Sequence, residues 1–229
     1  MSTHNGASHE RKRFLTLPEQ LFLLSLDEEM GSFRCGHLAR YGLPAAVLSE
    51  LLLRERLVIE NDRVKVRNMA PVGDEVLDLA LDVITVTPLS HRLTWWLRNL
   101  YQGRPSPKRL LIADLMMKGD LGIVGKRFVW IQPRTPKPPT LHSEERAFVR
   151  RLRRSLLTDE AMDERLCLLL AILAACRELG LVVSRGERKK RKDRIESVCE
   201  SDPVAFALGS AIADIMSADD ALSSAPVLR

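Results

Sequence analysis

The sequence predicts a mainly α protein: a compact single-domain helical fold with short β-hairpins, built as two helix–hairpin units followed by a C-terminal helical bundle. Three observations lead to it. Apolar residues recur three and four apart through much of the chain, as at Val47, Leu48, Leu51 and Leu52, the spacing of a buried helical stripe. Two such helices run directly into short segments that read as hairpins. A long segment over 163–179 is apolar nearly all round, a pattern that the middle of a helical bundle hides.

Local signals give the order of elements. Residues 1–13 are polar and close on Glu10-Arg11-Lys12-Arg13, so they read as a disordered basic tail. The folded domain is expected over 14–216. Thr16 is a candidate N-cap, with Pro18 and Glu19 in the first helical turn and an apolar run over 21–26 behind them. Residues 31–42 read as a glycine-punctuated loop carrying Arg34, His37 and Arg40. A helix over 44–56 leads into a hairpin over 57–66, with Asn61-Asp62 as its turn. The same unit recurs as a helix over 107–118 and a ribbon over 121–131. An offset of 64 residues carries Glu50 onto Asp114, Arg54 onto Lys118, Leu57 onto Leu121 and Arg63 onto Arg127. A helix on a two-stranded ribbon buries little alone, whereas two units share a larger core.

Helices over 74–83 and 90–100 lie between the units, the second carrying Trp95 and Trp96, read as one buried and one partly exposed aromatic. Pro133-Arg134-Thr135-Pro136-Lys137-Pro138-Pro139 cannot continue a strand and reads as an extended connector. Helices are then expected over 143–157 with Ser143 as cap, 163–179, 189–198 and 202–216, with a frayed end over 217–229.

Composition narrows the function without choosing it. A net charge of +5 and a pI near 9.2 favour anionic partners: nucleic acid, an anionic membrane surface or acidic protein. No apolar run approaches the ~20 residues that span a bilayer, and the N-terminus lacks a signal core, so a cytoplasmic protein is expected. Cys35, Cys167, Cys176 and Cys199 show no paired spacing and read as reduced thiols. The histidines show no metal-ligand spacing, and no phosphate loop, nucleotide-binding glycine motif or catalytic triad pattern is present. Neither an enzyme nor a cofactor is expected.

Four segments together resemble the Golgi phosphoprotein 3 family. Leu15-Thr16-Leu17-Pro18-Glu19-Gln20-Leu21-Phe22-Leu23-Leu24 is similar to its opening LTL-E-LLLL motif. Gly42-Leu43, then Leu48-Ser49-Glu50-Leu51-Leu52-Leu53-Arg54-Glu55-Arg56, resembles its GL…L-EL-LRGRI helix. Ala70-Pro71-Val72-Gly73-Asp74-Glu75-Val76-Leu77-Asp78 resembles APTGD-LLD, the most specific of the four. Met162-Asp163-Glu164-Arg165 running into Leu168-Leu169-Leu170-Ala171 resembles MD-RT-ALL-LA. The blocks keep the family's order across residues 14–216. The resemblance implies a helical peripheral membrane protein that binds phosphatidylinositol 4-phosphate. Some members also hold cytoplasmic tails of membrane glycosyltransferases. The plain N-terminus and compact loops look more like the shorter prokaryotic-type relatives.

The resemblance also implies where a headgroup sits. The family's pocket draws a Trp and an Arg from the region near residues 35–44 and two Arg from the start of the helix over 107–118. Here those positions fall near Cys35, on Pro44, and near Pro105 and Lys108. Lys108 keeps the charge, Arg109 stands beside it, and Arg34 and Arg40 remain in the loop as substitutes. The candidate headgroup site is therefore Arg34, Arg40, Lys108 and Arg109. A helix start is suited to phosphate through its free N–H groups and dipole, and cations there oppose the dipole and call for an anion. The candidate membrane-inserting hairpin is Phe128, Val129, Trp130 and Ile131, flanked by Lys126, Arg127 and Arg134, because Trp favours the lipid interface. The competing reading buries one of its faces in the core.

Two further basic features stand apart: the run over 185–194, and the arginines of the helix over 143–157. Each reads either as an anion-binding patch or as solvated and salt-bridged charge, with Glu144, Glu145 or Asp159 as partners for the second. Two other functions compete with lipid binding. Helix followed by basic hairpin has the form of a winged-helix DNA-binding module, although the helix over 44–56 offers few polar residues to read bases. A scaffold for acidic or membrane-proximal protein tails is the third. Oligomeric state, homo-oligomer included, is left open.

Overall fold

Helix α1 (Leu17–Ser25) starts where the sequence places its cap. Thr16 Oγ1 accepts from the Glu19 N–H at 3.4 Å, and the Glu19 carboxylate accepts from the Thr16 N–H at 2.8 Å, a reciprocal capping box. The computed structural model describes residues 15–27, 32–33, 36–102, 107–118, 121–124, 127–130 and 141–224. The tail 1–13 and the connector 133–139 lie outside them.

After α1 come two short paired strands, β1 (Leu26–Asp27) and β2 (Ser32–Phe33). The expected loop over 31–42 is only partly a loop. Leu38–Gly42 forms a π turn that continues into helix α2 (Leu43–Leu53). Pro44 gives the reason. It has no N–H for the carbonyl of Arg40, and its ring crowds that carbonyl in an ordinary α turn. Widening the turn to i→i+5, with Leu43 N–H donating to Leu38 O, lets proline sit inside a continuous helix.

The repeated unit is real in register. β3 (Leu57–Glu60) and β4 (Arg63–Val66) pair Leu57 with Val66 and Glu60 with Arg63. β5 (Leu121–Val124) and β6 (Arg127–Trp130), which follow α5 (Pro107–Met117), pair Leu121 with Trp130 and Val124 with Arg127. The 64-residue offset superposes each pair on its counterpart. Leu57 and Leu121 are both buried under their own helices. Asn61 and Asp62 both take positive φ (51° and 61°), as a two-residue hairpin turn demands.

Between the units, Asp74 caps α3 (Glu75–Val86) by accepting from Leu77 N–H, and α4 (Leu93–Gln102) follows. On α4, Trp96 is buried and Trp95 is at the surface, the one buried and one partly exposed aromatic expected there. Helix α6 runs Leu141–Leu157, so Ser143 lies inside it rather than capping it. Helix α7 (Glu164–Ala175), capped by Asp163, is the central helix, with Leu166 through Leu173 all buried. It is shorter than expected and gives way to a 3-10 turn at Leu179–Leu181. Helices α8 (Arg185–Lys190) and α9 (Lys192–Ser201) replace the single helix expected over 189–198. Helix α10 (Pro203–Ser224) lies along α7 and extends well past the fraying point expected at Ser217. Gly209 of α10 faces Ala171, so small residues let the two helices approach. Cys167, Cys176 and Cys199 are free thiols.

One buried carboxylate joins three of these elements. Glu50 on α2 is fully buried. It accepts from Leu17 N–H at the start of α1 (2.9 Å), from Arg54 Nε one turn on (2.9 Å), and from both terminal nitrogens of Arg165 on α7 (2.6 and 3.0 Å). Burial alone raises its pKa. The Arg165 hydrogen bonds and charge, with the Leu17 N–H and Arg54, outweigh burial and hold the carboxyl below its ordinary 4.5. A depressed pKa contributes stability that is present above about pH 4.5 and lost as pH falls below it. Arg165→Leu strands this charge and should cost about 3–5 kcal/mol in urea unfolding at neutral pH. Adding Glu50→Leu to that variant should recover most of the loss and flatten the acid limb.

Helix α2 ends on an unusual residue. Arg56 N–H donates to Leu51 O at 2.8 Å and Glu55 N–H to Leu52 O at 2.9 Å, while Glu55 sits at φ 53°. This is the left-handed C′ position where glycine avoids the Cβ penalty, and it matches the Gly of the family's LRGRI motif. Among the described residues its carboxylate has one exposed contact, to Arg67 at 3.7 Å, worth little. Glu55→Gly should therefore raise unfolding stability by about 0.5–1 kcal/mol, read as a higher denaturation midpoint.

Candidate functional site

Helix α5 carries the sequence-predicted cations at its first turn. Pro107 opens the helix and is buried, Lys108 is partly buried and Arg109 is exposed. Desolvation pushes the Lys108 ammonium below its ordinary pKa. Below Arg109 along the helix, Ala113, Met116 and Met117 are also exposed, the methionines at 39% and 70%. Arg109, Ala113, Met116 and Met117 lie at i, i+4, i+7 and i+8, so they form one outward stripe. It begins with a cation and ends in two apolar side chains about 10–12 Å away. The chain then enters β5, where Ile123 is 54% exposed and pairs with Phe128. Phe128, Val129 and Trp130 form β6. Ile131, Arg34 and Arg104 lie outside the described residues.

Arg40 stands elsewhere, on the π turn, in a cluster that the sequence reading missed. Its guanidinium lies 3.1 Å from Asp219 on α10 and 5.2 Å above the Tyr41 ring. Arg98 of α4 reaches the same carboxylate at 3.4 Å, and the Tyr41 hydroxyl donates to it at 2.6 Å. Asp219 falls in the segment expected to fray, 178 residues from Tyr41, and no local pattern links the two. Arg40 is thus committed to an internal anion, and the π turn and α5 each pack on α2 and α4.

The other charged groups also sort by partner. Lys118 Nζ meets Asp114 one turn back, Glu19 at 3.4 Å and Asp74 at 3.6 Å. The three carboxylates come close enough to suit a cation, and the ammonium supplies the charge. This is the second unit's counterpart of Arg54–Glu50. On α6, Arg151 pairs with Asp163 at 2.6 Å, Arg153 with Glu187 at 2.5 Å and Arg154 with Glu160 at 4.0 Å. Asp159 pairs with Arg191 instead, and the side chains of Glu144 and Glu145 lie outside the described residues.

The resemblance meets an independent comparison here. A family model described as Golgi phosphoprotein 3 (GPP34) matches residues 17–215. The chain belongs to the Golgi phosphoprotein 3 family. No curated protein matches it. Within this member the family-like motifs have structural work. The LTLPE segment is the α1 capping box, its Leu17 N–H bonded to Glu50 of the second motif, and Arg165 of the fourth motif completes that bond set. In the third motif Asp74 caps α3, and Asp78 accepts from Val72 and Gly73 N–H at 2.6 and 3.1 Å while Gly73 takes φ 79°. No described helix of this Golgi phosphoprotein 3 member is long and apolar enough to cross a membrane.

The Tyr41–Asp219 contact has a spectroscopic signature. Burial first, then the hydrogen bond to Asp219, raise the Tyr41 pKa from 10.0 to about 12. A raised pKa contributes stability that is complete below pH 10 and lost as pH rises towards 12. The chain has two tyrosines, so ultraviolet titration should show one late phenolate transition. Asp219→Asn should move that transition down towards 10.

Proposed function

We propose that this protein is a peripheral membrane protein that binds anionic phospholipid headgroups, by family resemblance phosphatidylinositol 4-phosphate, and catalyses no reaction. The observation that carries the reading is the outward stripe of α5, a basic first turn leading to Met116, Met117 and the hairpin with exposed Ile123. A helix lying along a leaflet with this stripe inward sets Lys108 and Arg109 among phosphates while the apolar end enters the interface. In this reading Phe128, Val129, Trp130 and Ile131 belong to the inserting hairpin, and Arg34 joins the headgroup cations. Arg40 contributes only if a headgroup displaces Asp219. The family match over 17–215 supports lipid binding at the level of the family. The protein-tail scaffold has no comparable surface argument.

The winged-helix alternative loses its recognition helix. Every residue of α2 from Leu43 through Leu51 is buried, Ser49 and Glu50 included, so this helix has no face for a DNA groove.

Flotation with vesicles containing phosphatidylinositol 4-phosphate, phosphatidylserine or neutral lipid alone tests the proposal. Binding should need anionic lipid and fall with salt. Each cation near an anionic leaflet contributes roughly 1 kcal/mol, so Lys108→Glu with Arg109→Glu should weaken partitioning by about thirtyfold or more. Binding that ignores lipid charge, or survives this double variant, removes the site.

A further inference from the structure

The basic run over 185–194 resolves into two sets with different surroundings. Arg191 turns inward to Asp159 at 3.2 Å and to the carbonyl of Leu157, and Arg194 donates to the carbonyl of Glu160 at 2.6 Å. These two tie α9 to the turn between α6 and α7. Arg185, Arg188, Lys189 and Lys192 face the other way, around a cavity of about 460 Å³. Its floor is apolar, formed by Ala174 at the end of α7, Leu179 of the 3-10 turn and Ile195 of α9.

The end of α7 makes this space. Arg177 takes φ 63°, Glu178 N–H donates to Leu173 O at 2.8 Å and Arg177 N–H to Ala174 O at 3.0 Å, which stops the helix in a Schellman turn. The chain folds back through the 3-10 turn, so α8 and α9 stand over the helix end instead of extending it.

Charge at the rim is one-sided. Glu187, the acid of α8, is used in the α8 capping box and paired with Arg153 at 2.5 Å. Glu196 lies at the rim but is paired with Lys192 at 3.5 Å. Arg185, Arg188 and Lys189 are exposed and have no acidic partner among the described residues. A pocket of this size suits a small ligand. An apolar floor under a cationic rim matches a ligand with an apolar tail and an anionic head, since the tail is removed from water while Arg forks grip the head.

We propose that this cavity binds a single-chain anionic amphiphile of the alkyl phosphate, lysophospholipid or fatty-acid class, with its head among Arg185, Arg188 and Lys189 and its chain on Ala174, Leu179 and Ile195. The site is separate from the α5 stripe and does not depend on it.

Isothermal titration of the full chain with octyl phosphate, octanol and inorganic phosphate tests this. Octyl phosphate should bind with one-to-one stoichiometry at least tenfold tighter than either control. Arg188→Glu with Lys189→Glu, both exposed, should weaken it tenfold or more. Ala174→Phe, checked for an unchanged melting temperature, should abolish it by filling the floor. Lys108→Glu with Arg109→Glu should leave it unchanged while weakening vesicle binding, so either site can fail alone. Equal binding of inorganic phosphate leaves a bare anion patch, and equal binding of octanol leaves an apolar hole. Either result overturns the proposal, as does no octyl phosphate binding or indifference to the Arg188 and Lys189 changes.

Discussion

The carboxylate of Glu50 ties the start of the fold to its centre. It is fully buried, yet four N–H donors from α1, its own helix and α7 surround its two oxygens. Such a charge is expensive to desolvate and tolerable only when nearly every lone pair is met. The arrangement therefore adds specificity more surely than stability: α1, α2 and α7 must sit in one relative geometry for the bond set to close. The second unit repeats the device in a looser form. Asp114 and Lys118 stand where Glu50 and Arg54 stand, but the lysine is shared with Glu19 and Asp74. Both ion pairs converge on the first turn of α1, one through Leu17 N–H and the other through Glu19.

That convergence explains why the family resemblance is strongest where no ligand is expected. Three of its four motifs supply the members of the Glu50 clamp, and the other supplies the cap and loop ties of α3. Gly42, also in a motif, has the same character: a Cβ there would meet Leu21 and Leu38 side chains at 3.0 and 3.1 Å. Such motifs identify the fold well and say little about the headgroup. Where the family's pocket residues depart, the backbone adapts. Pro44, where the resemblance implies an arginine, is carried by a π turn, and the nearby, half-exposed Arg40 pairs with Asp219.

Cations make up much of this protein's surface, and their partners separate them. Arg151, Arg153, Arg165, Arg191 and Arg194 fasten helices to one another through named carboxylates and carbonyls. Arg40 and Arg98 fasten α10 to the π turn and α4. Arg109 on α5, and Arg185, Arg188 and Lys189 around the cavity, are exposed in places where apolar surface lies next to charge. That combination suits amphiphilic anions better than nucleic acid, whose phosphates present no adjoining apolar tail.

The sequence by itself determined the helical class, the two-unit repeat and the α1 cap. These depend on residues three, four or two apart, and on turn chemistry at Thr16 and Asn61-Asp62, which a single chain displays directly. It also marked Lys108-Arg109 and the hairpin, because a helix start and an apolar ribbon are local patterns. It placed the C-terminal fray too early, since Ser217–Ser224 gains its order from α10 packing and from Asp219 reaching Tyr41, Arg40 and Arg98. Nor could it divide the basic run over 185–194, whose residues look alike in sequence. Only the tertiary fold decided that Arg191 and Arg194 turn to the α6–α7 junction while their neighbours ring a cavity. Ion-pair partners come from distant segments, and burial depends on everything packed around a side chain.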